Sequence, residues 1–327
     1  MEENALLRVQ DLKVKFFTGN GEVVAVDGVS FSARPGEIVG IVGESGCGKS
    51  VMAQSVLRLL EETDAVSYEG EVVYQNQNLL ALPLAAMGAI RGNEIAIVFQ
   101  DPMSSLDPVY TVGNQIAEVM RRHKGFSKRQ AMEKAVELLG TTGIPNPQRC
   151  AGQYPHELSG GMQQRVMSAM ALACEPKLLI ADEPTTALDV TIQAEILDLI
   201  VNLNKTLGMA VLFITHDLGV VSEICTSVRV MYLGQVVEEA PAGALFEKPL
   251  HPYTKGLLQS IPQLQRDKTQ KLHAIEGTVP SLNEIPAGCR FCTRCPHVYE
   301  ACQKEPPWFE SGQAGHRVRC WKYRDFL

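Results

Sequence analysis

With 327 residues, 45% of them hydrophobic and 20% charged, the chain has the composition of a folded globular protein with room for one large or two modest domains. No apolar run approaches the roughly 18 residues that span a bilayer, and Met1-Glu2-Glu3-Asn4 lacks the basic start of a secretion signal, so a cytosolic chain is expected. A formal net charge of −7 argues against nucleic acid as the main partner.

Residues 6 to 42 read as β-rich. Leu7-Arg8-Val9 and Leu12-Lys13-Val14-Lys15-Phe16 alternate in part, and Gly19-Asn20-Gly21 punctuates them. The turn Pro35-Gly36 opens a short apolar strand, Ile38-Val39-Gly40-Ile41-Val42. Gly43-Glu44-Ser45-Gly46-Cys47-Gly48-Lys49-Ser50 follows, filling the pattern G-x-x-x-x-G-K-[ST], and residues 51–57 read as a helix. A glycine-rich turn between strand and helix aims successive N–H groups into one concavity at the positive end of a helix dipole. Lys49 then reaches the β- and γ-phosphates, and the Ser50 hydroxyl can ligate Mg²⁺. A chance glycine-rich turn would lack these flanks. The loop is read as a nucleoside triphosphate site.

Further on, residues 94–100 form an expected buried strand ending at Gln100, and residues from about 111 to 142 carry helical periodicity. Ser159-Gly160-Gly161 opens an apolar helix and makes a second anion site with free N–H groups. Leu178-Leu179-Ile180-Ala181 is a strand that ends in Asp182-Glu183. Residues 190–207 then read as a helix, and Ala210 to Thr215 as another strand, followed by His216. Two carboxylates at the carboxyl end of a parallel strand suit Mg²⁺ (Asp182) and activation of a water (Glu183), although such a pair also serves as a helix cap. Strands alternating with helices predict an α/β protein with a parallel sheet, interrupted by an inserted helical block. Beyond about residue 262 the chain is Pro-, Gly- and Cys-rich, and reads as a small appendix.

The sequence Leu158-Ser159-Gly160-Gly161-Met162, taken with the P-loop, Gln100, Asp182-Glu183, Ala187-Leu188-Asp189 and His216 in that order, resembles the ABC-type ATPases over essentially the whole chain. The stretches Phe99 to Pro108, Tyr154 to Met162, Ala181 to Thr191 and His251-Pro252-Tyr253-Thr254 are similar to those of the dipeptide/oligopeptide importer ATPases, in particular the "D" subunit that pairs with a different "F" subunit. The resemblance implies an ABC ATPase domain over 1–262, with a β-rich start and a helical subdomain at about 101–175, and a C-terminal segment over 263–327. It implies that Gly43 to Ser50 hold ATP, that Gln100 senses Mg²⁺ and water, that Glu183 is the catalytic base and that His216 contacts the γ-phosphate. Ser159, Gly160 and Gly161 would close on the partner's nucleotide, Asp189 belongs to the same set, and Phe16 aligns with the aromatic that stacks on adenine. A core role for Phe16 stays open. The implied partners are a second, related ATPase, two membrane permeases and an extracytoplasmic binding protein, with the chain at the cytoplasmic face of the membrane.

Of nine cysteines, Cys289, Cys292, Cys295, Cys302 and Cys320 crowd the last forty residues. An odd count and a cytosolic setting favour metal over disulfides. The spacing Cys289-x-x-Cys292-x-x-Cys295-Pro296 suits iron–sulfur or zinc, and free thiols in an unstructured tail are the plain alternative. The family resemblance implies a [4Fe–4S] cluster on Cys289, Cys295, Cys302 and Cys320, with zinc as second choice. Two other classes fit the sequence less well. A DNA-repair ABC ATPase conflicts with the acidic charge and the lack of a long heptad insertion. A GTPase switch lacks its base reader, since Asn204-Lys205-Thr206-Leu207 misses the Asp.

Overall fold

The structure, a computed structural model, describes residues 4–19, 21–61, 65–185, 190–260 and 275–324. In chain order the strands are β1 (Leu7–Thr18), β2 (Gly21–Ala33), β3 (Ile38–Val42), β4 (Val66–Tyr74), β5 (Gln77–Asn78) and β6 (Ile95–Val98). They continue as β7 (Leu178–Asp182), β8 (Ala210–Thr215), β9 (Ser227–Tyr232), β10 (Gln235–Pro241), β11 (Phe309–Glu310) and β12 (Arg317–Val318). The chain folds as two compact units, one built mainly from Ala81–Ile214 and the other from Leu7–Ser32, Ile38–Leu80 and the chain from Thr215 onward.

In the first unit β6, β7 and β8 run parallel, with Ile95 opposite Leu178 and Asp182 opposite Ile214. Every residue of β7 and β8 is buried. That is why both read as unbroken apolar runs: a parallel strand covered on both faces has no solvent side to mark with polar residues. The helical block consists of helices at Val112–Lys124, Lys128–Thr141, Pro147–Ala151 and Gly160–Leu172 around Ile116, Met120, Leu139, Ile144 and Val166. The helical stretch expected over 111–142 is two helices. Gly125, at φ 68°, ends the first, and Ser127 and Gln130 cap the second through a reciprocal pair of side-chain bonds.

The second unit contains an antiparallel sheet in the order β2-β1-β4-β5 and a mixed set in the order β11-β12-β10-β9-β3. Strand β4, which the sequence reading did not anticipate, pairs with β1 from Leu7–Tyr74 to Phe16–Val66. The C-terminal segment is more than an appendix. Its β12 pairs with β10, and Phe291, 2% exposed, packs its ring against Tyr232, Tyr253 and His251 at 5.3, 5.4 and 5.7 Å between centroids. Buried Glu238 of β10 accepts from the backbone N–H groups of Leu250 and His251 at 2.7 and 2.8 Å, and His316 Nε2 lies 2.8 Å from its Oε1. A carboxylate taken out of water needs such partners, and residues from the tail supply part of them. Arg290 likewise pairs with Asp27 and donates to the carbonyl of Leu233.

Candidate functional site

The loop after β3 has little freedom. A Cβ on Gly43 would lie 2.3 Å from the Met231 carbonyl oxygen, and one on Gly48 would lie 2.4 Å from that of Ala25. Gly48 also sits at φ 98° as the cap of the helix Lys49–Val56, which begins two residues before the expected 51–57. Ser45 and Gly46 form the exposed rim, while Cys47, Gly48 and Lys49 are buried. Lys49 Nζ donates to the carbonyl oxygens of Gly43 and Glu44 at 2.8 and 3.1 Å. Burial pushes the Cys47 thiol upward, against the pull of the Lys49 ammonium, so Cys47 serves as packing. The Ser50 hydroxyl stands in the first turn of this helix.

Two contacts at this loop were not legible in the sequence. The backbone N–H of Glu44 donates to Tyr253 Oη at 2.8 Å, and Arg294 binds the Glu44 carboxylate with both terminal nitrogens at 2.7 and 3.1 Å. Tyr253 stood in the noted His-Pro-Tyr-Thr motif. Arg294 stood beside Cys295 in the tail that resembles the importer family, with no role of its own assigned to it.

In the first unit β7 delivers Asp182, 3% exposed, with Glu183 directly after it. Glu183 takes a left-handed backbone at φ 47°, and its N–H donates to the Ile214 carbonyl at 2.9 Å. Gln100 Nε2 donates to Glu183 Oε2 at 3.0 Å. Two residues 83 positions apart, singled out separately in the sequence, thus meet at one point. An amide donor on a carboxylate orients it, and a carboxylate held at a strand's end has the chemistry of a general base. The hard oxygens of Asp182 and the Ser50 hydroxyl each have the donor chemistry that Mg²⁺ prefers.

Ser159 caps the helix Gly160–Leu172, accepting from Met162 N–H at 3.4 Å. Gly160 is exposed, and a Cβ there would meet nothing within 4 Å. Beneath, Gln163 Nε2 ties the turn down by donating to the Pro155 carbonyl at 2.7 Å. In the second unit His216 is exposed in the turn after β8, and Asp217 beside it caps the helix Leu218–Ile224. Phe16 is half-buried on β1 opposite Val66. Asp189 lies outside the described residues.

The expected cluster needs correction. Among the described residues, which include Cys289, Cys292, Cys295, Cys302 and Cys320, no three His, Cys, Asp or Glu side chains gather as a metal-holding group. None of these cysteines is in a disulfide. Burial pushes the Cys289 thiol up to about 12 and also raises Cys292, Cys295 and Cys320, with neighbouring thiols adding to the rise. Neither the [4Fe–4S] cluster on Cys289, Cys295, Cys302 and Cys320 nor the zinc alternative is supported. The segment is ordered instead by Phe291, Val318 and the Glu238–His316 pair.

A glycine-rich loop running from a buried strand into a helix, and a strand ending in Asp-Glu with a glutamine on the Glu, define a P-loop ATPase. The ABC transporter family model matches residues 26–186, and the model for the oligopeptide/dipeptide transporter C-terminal region matches 237–302. A probable peptide ABC transporter ATP-binding protein of Sinorhizobium fredii is 52% identical over 98% of this chain and 96% of its own. The oligopeptide transport ATP-binding protein AppD of Bacillus subtilis is 47% identical over 98% of each. In three dimensions, the ATP-binding cassette MJ0796, solved as a dimer with ADP and Pi, matches with a TM-score of 0.65 and 30% identity over 72% of this chain and 98% of its own. The chain belongs to the ABC transporter ATP-binding proteins, in the oligopeptide/dipeptide branch. It is an ATPase, and the DNA-repair alternative is set aside. No helix among the described residues is long and apolar enough to cross a membrane.

Proposed function

We propose that this chain is the ATP-hydrolysing subunit of a peptide importer, moving dipeptides or oligopeptides through membrane permeases. In this reading it works at the cytoplasmic face beside a second, non-identical ATPase and two permeases, and a binding protein outside the membrane delivers the cargo. The ATPase domain spans 1–262, with the helical subdomain at about 101–175, and 263–327 form the C-terminal segment. The observation that carries the chemistry is the 3.0 Å hydrogen bond from Gln100 to Glu183.

The N–H groups from Gly43 to Ser50 cradle the phosphates, and Lys49 balances the β- and γ-phosphate charge. Mg²⁺, when bound, neutralises charge that develops on the phosphates; Ser50 supplies a hydroxyl and Asp182 a carboxylate to it. Gln100 holds Glu183, which takes a proton as water attacks the γ-phosphorus and the bond to ADP breaks. His216 contacts the γ-phosphate and Phe16 stacks on the adenine. Ser159, Gly160 and Gly161, together with Asp189, close on the nucleotide held by the partner ATPase. The thiols take no part.

The test is reconstitution of the chain with permeases, companion ATPase and binding protein in proteoliposomes, reading phosphate release against added peptides. Peptide-stimulated turnover is expected from the assembly, and slow turnover from the chain alone. Turnover by the dilute chain that is first-order in protein and equal to that of the assembly would reject the composite site, and an assembly indifferent to peptides would reject the cargo.

A further inference from the structure

Glu44, the second residue of the P-loop, is held at both its backbone and its carboxylate by side chains from far along the chain. Tyr253 Oη receives its N–H at 2.8 Å, and Arg294, 250 residues away, grips the carboxylate through two nitrogens. Both holders are themselves fixed. Tyr253 is fully buried, edge-on to Tyr232 at 4.7 Å between centroids. The Arg294 side chain is 3% exposed; its Nε donates to the Glu276 carbonyl at 3.1 Å, and its guanidinium lies 5.9 Å from the centre of the Tyr232 ring. The Glu44 pairing raises the arginine further above its ordinary range, with Tyr232 assisting. The carbonyls of Gly43 and Glu44, whose peptide units this clamp orients, are those that hold Lys49.

We propose that Arg294 and Tyr253 are positioning residues for ATP: the C-terminal segment holds the P-loop in its phosphate-receiving shape and neutralises the Glu44 carboxylate beside the phosphates. Two physical effects act together. A loop ordered in advance loses less conformational freedom when it wraps a ligand. A half-buried carboxylate stripped of its arginine would repel a triphosphate, and at reduced dielectric such repulsion is poorly screened. The affinity of the ATPase for nucleotide therefore depends on a segment that follows the last strand of its parallel sheet by many residues. Arg294 touches no reacting atom, so its effect belongs to binding and not to the chemical step.

The inference rests on the assignment of Gly43–Ser50 as the triphosphate loop, and the experiment separates the two. Trinitrophenyl-ATP fluorescence, with ATP as competitor and Mg²⁺ present, gives Kd for the full chain and for Lys49→Ala, Arg294→Gln, Arg294→Lys, Glu44→Gln and the Glu44→Gln/Arg294→Gln pair. Arg294→Gln should weaken ATP binding about 10-fold, near 1.4 kcal/mol. Arg294→Lys, which keeps charge and loses the fork, should fall between. Glu44→Gln, which removes the repulsion along with the bridge, should cost about 3-fold or less, and the pair should return to that level. Arg319→Gln, which breaks an ion pair with Glu305 inside the same segment, should leave Kd unchanged whatever it does to the melting temperature. In the assembled transporter, Arg294→Gln should raise KM for ATP and keep kcat within about 2-fold. Wild-type chain that fails to bind ATP would remove the nucleotide reading itself. Wild type that binds, Lys49→Ala that does not, and Arg294→Gln within 2-fold of wild type would overturn the clamp alone, as would Arg319→Gln weakening binding as much as Arg294→Gln.

Discussion

Glu183→Gln exchanges one oxygen for an amide nitrogen and changes little else. The backbone at this position is set by its own left-handed conformation and by the N–H bond to Ile214 at 2.9 Å, neither of which involves the side chain. A glutamine amide oxygen can still accept from Gln100, so the 3.0 Å bond has a neutral replacement. What disappears is the base. General bases contribute about 10²- to 10⁴-fold, or roughly 3–5 kcal/mol of barrier, and the loss should appear in kcat with ATP affinity unchanged. Gln100→Ala makes a useful contrast. It removes one hydrogen bond to a carboxylate from an exposed partner, about 1 kcal/mol, and should cost only about 5- to 10-fold. Phosphate release by the assembled transporter, with ATP binding measured in parallel, ranks the two. Glu183→Gln turning over within a few-fold of wild type would refute the base assignment, and so would Gln100→Ala proving the more damaging of the two.

Two further outcomes follow from the same geometry. Burial holds His251 down to about 4, against the upward pull of Glu238 and with Lys255 adding to the depression. Its unfolded value is about 6.5, so the stability due to neutral His251 is complete above pH 6.5 and is lost as pH falls toward 4, by up to about 3 kcal/mol. Urea melts from pH 7.5 to 4.5 should show that slope, and His251→Asn, which keeps a capping acceptor, should flatten it; an unchanged slope would assign it to other groups. Gly160→Arg enters open space on an exposed helix start, so stability should stay within about 0.5 kcal/mol and the chain's own ATP binding should hold. Turnover of the assembly should nevertheless fall more than about 10-fold if this turn closes on the partner's nucleotide; retained turnover would remove Gly160 from the site.

The parts of the site that were legible are those whose chemistry is local in sequence. The turn from β3 into the helix at Lys49 needs glycines at fixed places, and each leaves a letter in the chain. Helix Val190–Leu207 and strand Ala210–Thr215 match the expected 190–207 and 210–215 because their patterns are long or wholly apolar. β4 stayed hidden because Val66–Tyr74 carries Glu69, Gly70 and Glu71 in its exposed middle. The clamp on Glu44 stayed hidden for a different reason: it joins positions 250 residues apart, and neither an arginine nor a glutamate announces its partner. The cysteines show the converse. Their spacing suggested ligands, whereas in the fold no metal-holding group forms among the described residues and aromatic packing orders the segment.

The two short strands at the end of the chain also act on the boundary of the sheet. β10 offers seven residues, Gln235–Pro241, and on the side away from β9 it is met by the two-residue β12, which is in turn met by the two-residue β11. A strand of seven residues with open N–H and C=O groups is a template on which another chain can add a strand; a strand of two residues is too short to serve as one. Arg317 in β12 pairs with Glu239 and lies over the Trp308 ring at 4.5 Å, so this terminus also carries charge. β12 covers that edge at Glu238 and Glu239, and a chain cut before Phe309 is expected to leave those two positions open for another strand to pair with.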